Sequence, residues 1–280
     1  MHRILITGHK GMLGREIVAT AEKLGLETAG IDLPECDITD RAALERAVRD
    51  AKPDLIIHAA AFAQVDRCES EPELAYRVNA TGTQNVCLAA QPFDIPLLYV
   101  STDYVFDGSK NEPYDESDAA GPLSVYGKSK YAGECFVRDL CAKHFIVRTS
   151  WLCGHGGPNF VETLLKLAKE RDELKVVNDQ HGSPTFAVDL APELLRLSQS
   201  DAFGTYHITN QGYTTWFGFA GKIIELSGLR TRVVPCTTEE FPRPAPRPKN
   251  SQLSPRLYEN ALGMKMPSWE KGLKRYLKER

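Results

Sequence analysis

The sequence predicts an α/β fold: a doubly wound parallel sheet with helices on both faces, joined to a smaller C-terminal α/β unit. Three observations predict it. Short aliphatic runs alternate with stretches of helical periodicity up to about residue 150, a glycine-rich turn links the first run to the first helix, and the alternation loosens after Trp151.

Taken in order, Arg3 to Thr7 is a β-branched and aliphatic run, and Leu13, Ile17, Ala21 and Leu24 then recur at helical spacing. A second strand ends at Ile31 and Asp32, and Ala42, Leu44 and Val48 mark a helix over Arg41 to Asp50. Pro53 to His58 reads as a buried strand, Glu73 to Ala90 as one helix, and Ile95 to Val100 as the next strand. A helix over Ser124 to Cys141 and the strand Phe145 to Val147 complete the series. Residues 1–150 therefore form the first unit, and 151–280 are expected mainly in the second, with some segments returning to the first. In the second, Asn159 to Glu170 and Pro267 to Lys278 are predicted helices, and Phe241 to Pro255, with five prolines, is predicted as an extended loop rather than a packed element.

Composition narrows the function classes. The 280 residues are 42% hydrophobic and 25% charged, and 34 basic against 37 acidic side chains leave a net charge of −3, so no basic face for nucleic acid or an anionic membrane is announced. The longest nearly apolar run, Leu55 to Ala63, contains His58 and falls short of the roughly 20 residues of a membrane helix. Glycine and lysine interrupt the first apolar run too early for a secretory signal, and a cytoplasmic location is expected. Seven dispersed cysteines without a CxxC argue for free thiols rather than a disulfide framework or zinc site. Cys153 and His155 have no second ligand pair, so no metal site is read here, and His58 is expected to be a packed histidine.

The turn Gly8-His-Lys-Gly11-Met12-Leu13-Gly14 lies between strand and helix, where glycines permit a tight turn, close approach of a pyrophosphate, and close packing of helix on sheet. Asp32, 18 residues beyond Gly14, is placed to accept from ribose hydroxyls and to disfavour a 2′-phosphate, favouring NAD over NADP; alternatively it caps the turn before Pro34. Asp37 falls in the same region. This is the pattern of a Rossmann-type dinucleotide site.

Tyr126 and Lys130 are four apart, hence on one helix face, and a cation there is expected to stabilise the phenolate and bring the phenol toward the range useful for proton transfer. The run Val100-Ser-Thr102-Asp103-Tyr-Val-Phe-Asp-Gly108 places hydroxyl and carboxyl groups at a strand end, where ligands of such folds bind. Thr102 is suited to donate to a carbonyl while Tyr126 supplies the proton.

These motifs, with Ala59-Ala60-Ala61, Glu69-Ser-Glu-Pro72, Arg148-Thr-Ser-Trp151, Asn178 to Thr185 and Arg247 to Ser251, resemble the extended short-chain dehydrogenase/reductases, and within them the dTDP-4-dehydrorhamnose reductases, over nearly the whole chain. The resemblance implies Tyr126, Lys130 and Thr102 as catalytic residues and Thr102, Asp103 and Trp151 as sugar-nucleotide contacts. It implies Gly8, Gly11, Met12, Leu13, Gly14, Asp32, Asp37, Ile38, Ala60, Ala61, Phe62, Tyr126 and Lys130 around NADPH or NADH.

The implied reaction is reduction of the 4-keto group of a dTDP-linked sugar, in the making of an activated sugar for cell-surface polysaccharide. Nucleotide-sugar dehydratases resemble Thr-Asp-Glu at this strand end; Tyr104 stands here instead and favours reduction over dehydration. Some relatives dimerise around magnesium; Glu16 matches one such position, Asp189 and Glu279 are weaker matches, and a homodimer with a structural ion is left open. Reduction of another nucleotide-linked 4-keto sugar, and a non-catalytic role like that of the methionine adenosyltransferase β subunit, are the other readings.

Overall fold

The computed structural model describes residues 2–280. Strands β1 (Arg3–Thr7), β2 (Glu27–Ile31), β3 (Leu55–His58), β4 (Leu97–Thr102) and β5 (His144–Thr149), with Gly204–His207, form a six-stranded parallel sheet. From one edge the order is Gly204–His207, β5, β4, β3, β1, β2, so the winding reverses at β1, with β2 on one side and β3 on the other. In such sheets a crevice opens beyond the carboxyl ends of the strands at the reversal.

The two-residue period of the strands explains the layers. Ile4 and Ile6 face α1 (Met12–Lys23) and the helix Ala187–Leu197, joining a core with Ile17, Leu190 and Leu194. Between them Leu5 points the other way, to a core with Leu44 and Val48 of α2 (Arg41–Ala51), Val86 and Val137. Both faces are thus covered, which is why β3 is buried at every position.

A third core joins the helices Phe160–Glu170, Trp216–Ser227 and Trp269–Glu279 over a parallel pair, Glu173–Val177 with Arg232–Cys236. Segments after residue 151 also enter the first core: Leu190, Leu194, Tyr206 and Ile208 pack with Ile4 and Phe145.

Three local expectations change. The stretch predicted as one helix over 73–90 is Pro72–Tyr76, a π-helical turn Arg77–Gly82, and Thr83–Ala90. The wider turn accompanies Asn79, whose side chain accepts from Phe62 N at 2.7 Å and donates to Ser129 Oγ at 3.0 Å. The short polar helix Val65–Ser70 carried too little apolar periodicity to be read. Residues 241–255 are irregular, as their prolines require, but packed: Ala245, Ser251 and Leu253 are buried, and Asn250 Nδ2 donates to the carbonyls of Lys110 and Glu112. Prolines remove backbone donors, and side-chain bonds anchor the segment instead.

Candidate active site

The crevice begins at the glycine turn. Gly8 leaves β1 at φ +72°, its amide donates to Ile31 O, and a Cβ there would lie 2.8 Å from Ala60 Cα. A Cβ on Gly14 would overlap the Gly8 carbonyl oxygen, so α1 can approach β1 only with glycine there. Gly11 is the N-cap of α1 and no side chain caps it. The first-turn amides thus remain available to an anion at the positive end of the helix dipole. This chemistry fits a dinucleotide pyrophosphate.

Two cavities meet at Gly8, Gly11, Ala59 and Ala61. One, of about 310 Å³, is lined by Asp32, Asp37, Ile38 and Ala60, together with Leu33, Cys36, Thr39, Leu74, Arg77 and Val78, which no motif singled out. The Asp32 carboxylate braces the turn, accepting from Lys10 N at 3.0 Å and Leu33 N at 2.8 Å, as the turn-capping reading requires. Lys10 Nζ stands close by, bonded to Leu33 O at 3.1 Å and paired with Glu35. Phe62 does not join either cavity: its backbone is bound to Asn79 and its ring lies under the Arg67 guanidinium.

The other cavity, of about 400 Å³, gathers Gly11, Met12, Leu13, Gly14, Thr102, Asp103, Tyr126, Lys130 and Trp151. Local sequence explains how Tyr126 arrives there. Ser124 caps the helix Val125–Leu140 by accepting from Gly127 N at 3.1 Å, and Glu69 accepts from Val125 N at 2.8 Å. Tyr126 is therefore held in a doubly anchored first turn, edge-on to Tyr104 at 5.7 Å. Lys130, one turn on, is buried; its Nζ donates to Val100 O at 2.8 Å and lies 4.0 Å from the Tyr99 ring centroid. Thr102 Oγ1 donates to Asp103 Oδ1 at 3.0 Å and accepts from Tyr104 N at 3.2 Å.

Burial governs the electrostatics. It lowers the Lys130 ammonium to about 7, with the Glu134 charge opposing it. It raises the Tyr126 phenol, with the Thr102 hydroxyl pulling the other way. The expected lowering of that phenol by Lys130 is not found: desolvation dominates, the Lys130 Nζ is bonded to Val100 O, and the phenol stays protonated. Burial also raises Asp103 to about 7, with the Ser251 and Thr102 hydroxyls pulling the other way, and its Oδ2 has no partner.

Trp151 adopts φ +46° and stacks on Trp216 at 3.6 Å, their planes 7° apart. Trp216 lines the cavity, as do Thr149 and Ser150. Trp216 was not read from the sequence, because it enters from a helix of the third core, 65 residues beyond Trp151. Its one local signal is Thr215, the N-cap of that helix. His58 is packed as expected, bonded to Thr7 Oγ1 at 2.6 Å and Thr83 Oγ1 at 3.0 Å and pushed down to about 3 by burial and then by Lys130.

Asp189 is committed to Arg275 and Asn210, and no group of three or more metal-binding side chains gathers among the described residues. Nor, among them, is any helix long and apolar enough to cross a membrane.

The sheet and crevice place the molecule in the class of Rossmann-type α/β proteins. Within that class, the family model "RmlD substrate binding domain" matches residues 1–280, and the chain belongs to this family. A curated relative, "Spore coat polysaccharide biosynthesis protein SpsK" of Bacillus subtilis, is 41% identical over 100% of this chain and 98% of its own. The Escherichia coli dTDP-4-dehydrorhamnose reductase is 38% identical over 99% of this chain and 97% of its own. A solved dTDP-4-dehydrorhamnose reductase from Bacillus anthracis, in complex with NADP, is 43% identical with a TM-score of 0.97, covering 100% of this chain and 99% of its own.

Proposed function

We propose that this chain is an NADPH- or NADH-dependent reductase that converts the 4-keto group of dTDP-4-dehydro-β-L-rhamnose to the hydroxyl of dTDP-β-L-rhamnose. The observation that carries this reading is the meeting, in one crevice, of the uncapped glycine turn with Thr102, Tyr126 and Lys130. Its support from kinship is the full-length match to reductases of that name.

Residues 1–150 hold the dinucleotide, and 151–280 mainly the sugar nucleotide, with the helix Ala187–Leu197 and the strand Gly204–His207 returning to the first unit. A bound reduced nicotinamide supplies hydride to the carbonyl carbon. Tyr126, kept protonated by burial, donates its proton to the carbonyl oxygen as charge develops there. Thr102 orients that oxygen by a second hydrogen bond, Lys130 keeps positive charge beside the site and contacts the nicotinamide ribose, and Asp103 Oδ2 accepts from a sugar hydroxyl.

Trp151 and Trp216 wall the sugar, and both Tyr104 and Trp216 are shared with a further groove of about 350 Å³ that carries Lys175, Gln180, Arg243 and Arg247. That groove has room and cationic groups for the nucleotide part. Where Tyr104 stands, no carboxylate is placed for elimination, which favours simple reduction.

The test is oxidation of NADPH and NADH with freshly generated dTDP-4-dehydro-L-rhamnose, with identification of the sugar product. Turnover that disappears in Tyr126→Phe supports the reading. Cofactor binding without turnover transfers it to another keto sugar, and co-purification with a synthetase partner to the regulatory-subunit alternative. Asp32→Ala is expected to shift kcat/KM toward NADPH by a few-fold, because a carboxylate opposes the 2′-phosphate; an unmoved ratio removes Asp32 from cofactor choice.

A further inference from the structure

One turn beyond Lys130 the same helix carries a second polar cluster. Glu134 is fully buried, yet its carboxylate accepts from Ser101 Oγ at 2.6 Å, Arg148 Nε at 2.9 Å, Arg148 Nη2 at 2.8 Å and Arg138 Nη1 at 3.1 Å. The fork from Arg148 and the two further donors keep it ionised against desolvation. Its donors come from β4, β5 and its own helix.

The placement matters to the crevice. Lys130 bonds the carbonyl of Val100, and Glu134 receives the hydroxyl of Ser101. Two successive residues of β4, immediately before Thr102, are thus tied to two successive turns of the helix that carries Tyr126 in its first turn. The ionisable groups around Lys130 are His58 from β3, Tyr99 from β4, Asp103 beyond it, Arg148 from β5, and Tyr126 and Glu134 on its own helix. Glu134 supplies the negative charge that opposes the desolvation of the ammonium.

We propose that Glu134 is a positioning residue for the reduction, holding Lys130 in its charged form and locking β4 to the Tyr126 helix so that Thr102, Tyr126 and Lys130 keep their spacing. The inference rests on the reductase reading, and its test separates the two. In Glu134→Gln, kcat at neutral pH falls about tenfold or more and its alkaline limb moves down by about one pH unit, since the opposing charge is gone. Glu134→Asp, which keeps the charge, recovers most of the limb. Ser101→Ala lowers kcat several-fold and leaves the limb in place.

A readout independent of turnover is the titration of Lys130 in protein labelled with ¹³C at the lysine ε-carbon, its signal assigned by its loss in Lys130→Met. A lower midpoint in Glu134→Gln supports the proposal. An unmoved midpoint overturns it whether or not the wild type reduces the sugar. If the wild type does not turn over and the midpoint still moves, the reductase reading has failed and the charge relation stands. Should Glu134→Gln not fold, Ser101→Ala decides: unchanged kcat overturns the lock.

Discussion

Along the helix Val125–Leu140 the Tyr126–Lys130 end and the turn around Glu134 treat buried polar groups in opposite ways. Around Glu134 every donor and acceptor is matched, down to the fork from Arg148. Around Tyr126 and Lys130, Asp103 Oδ2 and Thr149 Oγ1 are buried with no partner, and Asp103 and Lys130 have both moved to about 7. An unpartnered buried polar atom costs about 1–3 kcal/mol, a cost that a ligand's hydrogen bond would offset. The satisfied end makes the frame rigid, and the unsatisfied end is open to chemistry.

The contrast is most severely challenged by Tyr126→Phe, which is expected to lower kcat by about 10²–10⁴-fold. Its unfolding free energy in urea should stay within about 1 kcal/mol of the wild type, because the hydroxyl serves the reaction rather than the fold. Arg148→Met reverses the pattern: it removes two of the four donors to the buried Glu134 charge, leaving Ser101 and Arg138, and should cost about 3 kcal/mol in urea denaturation. A loss below about 1 kcal/mol would show that the matched cluster is not the frame.

Trp216→Ala removes the stack on Trp151 and should raise KM for the sugar nucleotide by about 2–10-fold while leaving cofactor affinity unchanged. Equal loss of both would place the tryptophan pair at the cofactor instead.

A further check is a slope. Asp103 titrates at about 7 in the fold against an ordinary 3.8, so its contribution to stability is complete below the lower value and is lost as pH rises through the upper one. Denaturation of Asp103→Asn between about pH 4 and about pH 8 should therefore decline less with pH than the wild type. Parallel curves would mean that the carboxyl is not held away from water.

Legibility followed the range of the interactions involved. Gly8 and Gly14 were readable because their constraints act within one turn: a positive φ and a collision with the Gly8 carbonyl. Tyr126 and Lys130 were readable because helical spacing puts them on one face. Phe62 was placed in the crevice by likeness alone, whereas the bond that fixes its backbone comes from Asn79, 17 residues on. The proline segment 241–255 read as an extended loop because packing partners such as Tyr114, stacked on Phe106, are far away in the chain. The direction of the Tyr126 shift depended on enclosure by β4 and its neighbours, which spacing does not reveal.

By itself the sequence determined the alternating α/β order, the glycine turn and the phenol–ammonium pair, since period, steric allowance and helical pitch are properties of neighbouring residues. Only the tertiary structure decided which hydroxyls and carboxylates remain unpartnered, which tryptophan faces Trp151, and which arginine neutralises Glu134. These depend on contacts between segments tens of residues apart, where burial and charge, rather than local spacing, set the chemistry of each group.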